Sequence, residues 1–341
     1  MHLISTDDHA YVGIDVAAAT STVACCVRGK LTAAPLTITH TSAGFTTLLH
    51  RLEALRLPPT AFTIVMENTS TYWMPLAVFL IQAGYAVSVV NPIQTHAFAR
   101  SYLRRAKTDP LDAITLAQYA AERHPRPWRV PPDLYYELRA RLLTRQRYLA
   151  IRTQLANHDE SLRHCPVVVQ AVQEPIRELC GELEKQSRTF ERDIQTLLET
   201  SDWAPNARLL QTIPGIGTIT TAWLLVGTHN FQLCQTAEEL VAYAGLAPMP
   251  YESGSRIRRR TAIGSGGNPA LRKALYLATL SAAQSNPIIK AFYTRLKAAG
   301  KPMKVARCAA ARKLLVIAWA VVKTQRAFEY PVGEKAIQST E

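Results

Sequence analysis

The sequence predicts two architectures in one chain, an α/β domain with a mixed sheet followed by an all-α half. Over the first 127 residues, strand-like and helix-like segments alternate, which is typical of helices packed against a sheet. Prolines at 125, 127, 131 and 132 then mark a linker, and beyond it apolar residues recur at helical spacing. With 341 residues, 48% of them hydrophobic, the chain is long enough to bury more than one core.

The elements of the first domain follow from their apolar patterns. Three strands come first and are close enough in sequence to form a meander. A helix begins near Ser42, a plausible N-cap, and a later helix stops at Gly84, a typical C-terminal glycine. The resulting order β-β-β-α-β-α-β-α is the ribonuclease-H-like arrangement, a mixed sheet with helices on its faces. The predicted strands span 10–16, 21–27, 36–39, 61–67 and 85–90, and the predicted helices 42–55, 73–83, 93–103 and 109–123.

Four carboxylates fall at the ends of these elements. Asp15 closes the first strand, Glu67 closes the fourth, and Asp109 and Asp112 lie three apart where a helix begins. Acids at strand ends and on one helical face can converge, but like charges repel unless a cation neutralises them. The usual partner is Mg²⁺ held by oxygen ligands, and two such ions can flank a phosphodiester during strand cleavage. The four acids therefore predict a magnesium site that acts on nucleic acid.

The overall charge supports a polyanionic partner. Lys and Arg total 39 against 26 Asp and Glu, a formal charge of +13 with a pI near 9.6. Nucleic acid is favoured over an anionic membrane surface, and no apolar run is long enough to predict a transmembrane helix. The first residues do not resemble a signal peptide, so we expect a cytoplasmic protein, nucleoid-associated when bound to DNA. Six scattered cysteines without a Cys-x-x-Cys pair predict free thiols and no zinc site.

Two long helical patterns follow the linker. Leucines recur from Leu134 to Leu162, Pro166 interrupts the pattern, and a second segment runs from Val168 to Thr200. Together they predict an antiparallel helical hairpin or coiled-coil arm, whose role would be spacing and dimerisation. The predicted domains are a catalytic domain at 1–127, the arm at 128–203, a C-terminal domain at 204–330 and a tail at 331–341.

The C-terminal domain contains features of a nucleic-acid platform. Gly215 and Gly217 lie in a Gly-x-Gly turn before a helical run to about Val226, a helix-hairpin-helix-like pattern. Such glycines can let the backbone approach a phosphate, which the N–H groups of the next helix then bind. From Tyr251 to Lys313 there are 14 Lys or Arg and one acid, which predicts phosphate contact and salt-dependent binding. The candidates for that contact are Arg256, Arg258, Arg259, Arg260, Arg272 and Lys273.

The motifs of both halves resemble those of one family, the DEDD transposases of the IS-one-ten group of insertion sequences, known as bridge-RNA-guided recombinases. The similar motifs run in order from residue 13 to residue 276. The family often has Gly where this chain has Ser70, and Gly there would permit a tight turn after the strand. The matching motifs are Gly-Ile-Asp (13–15), Glu-x-Thr-x-x-Tyr (67–72), Asn-Pro (91–92), Lys-Thr-Asp-x-x-Asp-Ala (107–113), Ile-Pro-Gly-Ile-Gly (213–217), Ala-Gly-Leu-x-Pro (244–248), Glu-Ser-Gly-Ser (252–255) and Gly-Asn-x-x-Leu-Arg-x-x-Leu-Tyr (267–276).

The resemblance implies a specific function. It implies an N-terminal domain like the RuvC-type Holliday-junction resolvase, a coiled coil, and a C-terminal transposase domain in which Ser253 is the nucleophile. It implies that the four acids bind Mg²⁺, and that serine and acids meet between subunits of a homo-oligomer, a dimer or tetramer. It also implies a structured non-coding guide RNA, the bridge RNA, whose loops pair with donor and target DNA.

The residues alone leave alternatives open. Ser255 lies two positions from Ser253 and is an equally plausible nucleophile by pattern. A second hypothesis is a metal-dependent Holliday-junction resolvase-like nuclease, in which the four acids activate water and Ser253 is structural. A third is a nucleic-acid-binding scaffold without catalysis, which the presence of all four acids disfavours.

Overall fold

The computed structural model describes residues 8–102, 108–167, 169–249, 252–253, 257–258, 262–264 and 266–330, with only the backbone described at 249, 252, 253, 257, 258 and 262. The chain divides into two compact units, one ending at Val130 and the other beginning at Pro131. Within the described ranges, none of the helices has the length and apolar character needed to span a membrane.

The first unit is built on a mixed sheet, as the sequence predicts, with six strands where five were predicted. The order is β3-β2-β1-β5-β6, and β4 pairs with β2. The first four strands pair antiparallel, whereas β1, β5 and β6 run parallel. The two-residue strand β3 was not predicted, because it is too short to show a periodicity. The strands are β1 (Ala10–Val16), β2 (Thr20–Val27), β3 (Lys30–Leu31), β4 (Leu36–Thr39), β5 (Phe62–Glu67) and β6 (Ala86–Val90).

Four α-helices cover this sheet, and their bounds agree closely with the predicted ones. The N-cap of the first is Thr41 rather than Ser42, because the Thr41 side chain accepts a hydrogen bond from the Gly44 N–H at 3.2 Å. Gly84 follows the second helix with φ of 90°, a conformation that favours glycine. The helices are α1 (Ser42–Glu53), α2 (Trp73–Gln82), α3 (Pro92–Ser101) and α4 (Asp109–Arg123), with a short 3₁₀ turn at Pro59–Ala61.

Side chains along β1 and β5 point alternately to the two faces of the sheet, and each face packs against a different pair of helices. One set of strand residues, represented by Ile14 and Met66, packs in a core with Leu48 of α1 and Leu76 of α2. The opposite set, which includes Val65, packs in a second core with residues of α3 and α4. The sheet is therefore covered on both faces, as expected for a mixed sheet with parallel central strands.

The second unit begins with two 31-residue helices, α5 (Asp133–Arg163) and α6 (Gln170–Thr200). Ion pairs join Arg145 to Glu191, Arg152 to Glu184 and Arg177 to Asp159. As residue numbers rise along α5 they fall along α6, so the helices form an antiparallel hairpin. That these helices supercoil as a coiled coil stays a prediction.

The base of the hairpin shares its core with the C-terminal helices. Leu138 of α5 and Ile194 of α6 are fully buried in the same cluster as Leu225, Leu275 and Leu314. The predicted domain boundary at residue 203 thus falls within a continuous core, and the separate role of the arm stays a prediction. The remaining helices are α7 (Ala204–Gln211), α8 (Thr218–Thr228), α9 (Ala237–Tyr243), α10 (Pro269–Ser285), α11 (Pro287–Ala298) and α12 (Met303–Thr324).

Two small antiparallel ladders lie between α9 and α10. Each strand in them has two residues, and none was predicted from the sequence. The strands are β7 (Pro248–Met249), which pairs with β10 (Ala262–Ile263), and β8 (Glu252–Ser253), which pairs with β9 (Ile257–Arg258).

Candidate active site

Asp15 and Glu67 lie at the carboxyl ends of two neighbouring parallel strands. The register of β1 and β5 pairs Ile14 with Met66, so the next residues along, Asp15 and Glu67, come side by side. Both are half-buried. Because side chains alternate across a strand, both acids belong to the face of the sheet on which Gly13 meets α4. The predicted convergence of the two strand-end acids therefore agrees with the topology.

Helix α4 brings its first turn to the same edge. A Cβ atom on Gly13 would lie 2.1 Å from the Ala113 carbonyl oxygen and 2.3 Å from the Ala117 nitrogen, so only glycine fits beneath the helix. The ring of Tyr11, two residues earlier on β1, lies 6.0 Å from that of His124 at the far end of α4. Helix α4 therefore runs antiparallel to β1, and its amino-terminal end lies toward Asp15.

Asp109 and Asp112 occupy that amino-terminal turn of α4. They are three residues apart and therefore lie on one side of the helix, Asp109 exposed and Asp112 half-buried. The unpaired N–H groups of a helix N-terminus give it a partial positive charge, which stabilises carboxylates there. All four predicted acids thus belong to one edge of the first unit.

Glu67 has a positioning partner that was not predicted from the sequence. The Thr95 hydroxyl, on the first turn of α3 and 3% exposed, donates a hydrogen bond to Oε1 of Glu67. Helix α3 is started by Asn91, whose side chain accepts from the Ile93 N–H at 2.9 Å, and by Pro92 in the first helical position. The Asn-Pro motif thereby fixes where Thr95 meets Glu67. The sequence offered only the helix start as a signal.

The four acids suit a metal ion in the type of their ligand atoms and in their common location at one edge of the sheet. Their donors are carboxylate oxygens, which hard cations such as Mg²⁺ prefer. Among the residues that the structure describes, however, no three His, Cys, Asp or Glu side chains come close enough together to hold a metal ion. Like-charged carboxylates repel at short range, so a compact set requires a cation among them. The four acids share an edge of the fold, and the ligand set itself stays a prediction.

Ser70, where the related motif often has glycine, makes its turn by a side-chain hydrogen bond. Its hydroxyl oxygen accepts from the Tyr72 N–H at 3.1 Å, just after Glu67 and before α2 begins at Trp73. A serine side chain that bonds to the backbone two residues on is a common turn device. The local chain path after Glu67 thus has a physical cause that does not need glycine.

The predicted nucleophile lies in one of the small ladders of the second unit. The backbone of Ser253 ends β8 and pairs with Ile257 of β9, and Glu252 pairs with Arg258. Ser253 therefore stands next to the connection between two strands. The predicted residues Ser255, Arg256, Arg259 and Arg260 lie outside the described residues.

Gly215, predicted to approach a phosphate, has another reason to be glycine. It has φ of 96°, and a Cβ there would lie 2.4 Å from the Cβ of Ala282 on α10. Gly217 is the N-cap of α8, and a Cβ there would meet no atom within 4 Å among the described residues. Close packing of the turn on α10 explains the first glycine, and phosphate contact at both glycines stays a prediction, as does the helix-hairpin-helix assignment.

Two further predicted cations are described. Arg272 is half-buried and its Nη1 donates to the carbonyl oxygen of Gly266 at 2.8 Å, so it holds the turn before α10. Lys273 is exposed and lies with Arg145 along a groove of about 510 Å³ between α5, α8 and α10. The geometry of Lys273 suits an external ligand better than that of Arg272, and both phosphate contacts stay predictions.

Comparisons with known proteins agree with the motifs. The DEDD transposase model of IS110 matches residues 12–163, and the model described as transposase IS116/IS110/IS902 family matches residues 207–294. The pilin gene-inverting protein of Moraxella bovis is 33% identical over 327 residues, covering 95% of this chain and 99% of the relative. That of Moraxella lacunata is 32% identical over the same shares. An uncharacterized 43.6 kDa protein of insertion element IS110 from Streptomyces coelicolor is 32% identical over 42% of this chain and 35% of its own length.

Two family models together span most of the chain, and the two Moraxella relatives are matched over nearly their whole length. The resemblance read from the motifs is confirmed, and with it the enzyme class, a DNA transposase or recombinase. The chain belongs to the IS110 family of transposases.

Proposed function

We propose that this transposase cuts and rejoins DNA through a covalent link to Ser253, with Mg²⁺ bound by Asp15, Glu67, Asp109 and Asp112. We further propose that a structured RNA selects the DNA sites. The observation that carries the proposal is the common edge of the four acids, at the ends of β1 and β5 and the start of α4. This edge gives the acids a shared role that scattered surface carboxylates would not have.

Mg²⁺ at the four carboxylates would polarise the scissile phosphate and neutralise charge that develops on it. The chain's own residues then have defined tasks. Asp15 and Glu67 supply ligand oxygens from the sheet, and Asp109 and Asp112 supply them from α4. Thr95 is a positioning residue that orients Glu67 through its hydroxyl.

The covalent step balances without an external energy source. The Ser253 oxygen bonds to phosphorus as the bond from phosphorus to a deoxyribose oxygen breaks, and the serine proton passes to water while the leaving oxygen takes up a proton. In rejoining, a hydroxyl of the new partner strand attacks the phosphoserine and releases the serine. Each step exchanges one phosphoester bond for another, so their number is conserved and ATP is not needed. The sequence contains no Walker-type phosphate loop.

The serine and the acids belong to different compact units of the chain. We propose that they meet between subunits of a dimer or tetramer, so that one subunit provides the carboxylates and another the serine. The family resemblance supports this arrangement.

A guide RNA is the part of the proposal that rests most on resemblance. The net charge of +13 suits a protein that holds two nucleic acids at once. Base pairing by the RNA would then choose donor and target, while the protein supplies backbone contacts and chemistry. RNA that co-purifies with the protein and matches the DNA beside its gene would support this part.

The main rival is a nuclease that uses the same acids to hydrolyse DNA with water. Two relatives matched over 99% of their length are named for gene inversion. Inversion requires that cut strands are joined again, so these names favour strand exchange over hydrolysis.

The test is a comparison of Ser253→Ala with Ser255→Ala in the full-length protein, incubated with Mg²⁺, DNA and RNA transcribed from the DNA beside its gene. We expect a covalent protein–DNA adduct on denaturing gels for wild type and Ser255→Ala, and none for Ser253→Ala. An adduct that persists in Ser253→Ala contradicts the assignment. Free DNA ends without any adduct or joined product would favour the nuclease.

A further inference from the structure

Helices α10, α11 and α12 form a surface with one sign of charge. Between residues 253 and 328 the sequence contains no Asp or Glu, whereas these three helices and their connections, 269–324, contain eleven Lys or Arg. Unbalanced charge of one sign repels itself unless a ligand compensates it. A surface of this kind therefore needs a structural or a functional explanation.

A cleft of about 420 Å³ lies on this surface between α10 and α11, next to the start of α12. Its walls combine cations with neutral hydrogen-bonding groups and small apolar residues. None of its three cations forms an ion pair with another described residue. The polar side chains that line it are Thr279, Gln284, Lys290, Tyr293, Thr294, Lys297 and Arg307.

Arg307 lies in the cleft beside two tyrosines. Its Cζ lies 6.0 Å from the centre of the Tyr276 ring, and Arg307 lines the cleft together with Tyr293. A guanidinium has five N–H donors, which it can offer to the oxygens of a ligand in the cleft. The Lys297 ammonium is likewise near an aromatic ring, 5.9 Å from the centre of Tyr293. Aromatic rings therefore lie near both cations without neutralising their charge.

The spacing of the two lysines indicates the size of the ligand. Lys290 and Lys297 are seven residues apart on α11, which corresponds to two helical turns and about 10 Å along the axis. Both are exposed and line the same cleft. A separation of about 10 Å along the axis suits two phosphates of one strand better than a single phosphate ion.

We propose that the cleft formed by Lys290, Tyr293, Lys297 and Arg307 binds the phosphodiester backbone of a nucleic-acid strand. The inference deepens the proposed function, since it assumes that the chain handles nucleic acid, and it assigns that task to a place that the motifs do not mark. Arg307 would give a directional contact to phosphate oxygens, and the two lysines would act as point charges. Because the contacts go to the backbone, the cleft would not read sequence.

The experiment measures the salt dependence of binding for the full-length protein carrying Ser253→Ala, so that no cleavage occurs. The probes are a mixed-sequence single-stranded RNA and a mixed-sequence DNA duplex of equal length, each fluorescently labelled. The test variant adds Lys290→Gln and Lys297→Gln. The matched control adds Lys301→Gln and Lys304→Gln, two exposed lysines of the same surface that do not line the cleft. Glutamine has nearly the helix propensity of lysine, so we expect both variants to fold. Thermal unfolding checks this.

A plot of the logarithm of the association constant against the logarithm of the salt concentration has a negative slope. We expect the magnitude of this slope to decrease by about 2 in the cleft variant, about 1 for each phosphate that a lysine no longer neutralises. The control should be nearly unchanged. The probe that shows this fall identifies the strand as RNA or DNA. An unchanged slope for both probes, or an equal decrease of the slope's magnitude in the control, would contradict strand binding by the cleft. Either result would leave the proposed function intact. Displacement of the strand by inorganic phosphate without a change in slope would assign the cleft to a small anion and also contradict strand binding. If the Ser253→Ala protein without further substitutions binds neither probe, the proposed function is overturned as well.

Discussion

At the scale of single residues, Gly13 decides whether the acids can share an edge. The residue has no side chain to pack, yet its position beneath Ala113 and Ala117 sets how closely α4 approaches β1. That approach places Asp109 and Asp112 at the end of the sheet where Asp15 lies. The Gly-Ile-Asp motif therefore combines a packing residue with a functional one.

Replacing Gly13 with alanine should move α4 away from the sheet. The new Cβ would meet backbone atoms, which cannot rotate aside, so we expect a loss of about 1–3 kcal/mol in the free energy of unfolding. Urea unfolding measures this loss, and strand joining should fall with it. Gly181→Ala is the matched control, because Gly181 is an exposed helix residue with open space around its Cα and should gain up to about 1 kcal/mol. Equal stability of the Gly13 and Gly181 variants would contradict this role of Gly13 in packing.

Thr95 provides a second prediction at this scale. Thr95→Val keeps the shape of the side chain and removes the hydroxyl that donates to Glu67. Loss of a group that orients a metal ligand typically weakens metal affinity about 10–100-fold. We expect the Mg²⁺ concentration at half-maximal strand joining to rise by a factor in this range. The same midpoint as wild type would show that Thr95 does not act through Glu67.

At the scale of elements, the sequence predicted those strands and helices whose apolar residues follow a clear period. The strands β1 and β4 and helix α4 have the predicted bounds, because their apolar residues alternate or recur clearly. The two-residue strands could not be predicted, since two residues define no period. Helices α10 to α12 were not assigned, although Asn268 and Asn286 cap two of them. The alanine-rich sequences of α10 and α12 show little amphipathic contrast. Helix α11 is clearly amphipathic, and its Asn-Pro start at 286–287 was a signal that the sequence offered.

The candidate site also has features that the sequence could predict and contacts that it could not. Element order was enough to expect Asp15, Glu67 and the α4 acids at one edge, because parallel strand ends and their following helices have fixed places in such a sheet. The Thr95 contact could not be predicted, since it depends on how far α3 rotates about its axis. The approach at Gly13 likewise required the packing of α4.

Helix α8 ends at a half-buried histidine, His229, that should make stability depend on pH. Burial lowers the pKa of His229 from 6.5 to about 4, and its ring contacts that of Tyr135 at 4.7 Å. Between pH 6.5 and 4 the unfolded chain binds a proton that the folded chain does not, so stability falls as pH falls through this range. Across this range the free energy of unfolding should fall by about 3 kcal/mol in total.

His229→Asn should flatten that dependence, since asparagine does not titrate and tolerates the left-handed conformation found here, with φ of 46°. The measurement is the free energy of unfolding from urea titrations at several pH values. A wild-type slope that the variant retains between pH 6.5 and 4 would mean that other groups cause it.

At the scale of the whole molecule, the chain places its acids in one compact unit and its serine in another. A site composed from two subunits predicts that two inactive variants can rescue each other. We expect Ser253→Ala mixed with Asp15→Asn to recover adduct formation, because some oligomers would join an intact serine to an intact set of acids. Each variant alone should be inactive. A mixture as inactive as its components, under conditions where mixed oligomers form, would contradict the shared site.

The central claim is that Mg²⁺ at the four acids enables Ser253 to attack DNA. The most direct measurement is mass spectrometry of the covalent protein–DNA adduct after proteolysis, with Mg²⁺ or with a chelator, for wild type, Asp15→Asn and Asp112→Asn. Asp202→Asn, an exposed acid of the second unit, is the control. We predict a phosphoserine link on the peptide that contains Ser253, present only with Mg²⁺ and only in wild type and the control. An adduct at Ser253 that forms equally with the chelator or in Asp15→Asn would contradict this claim.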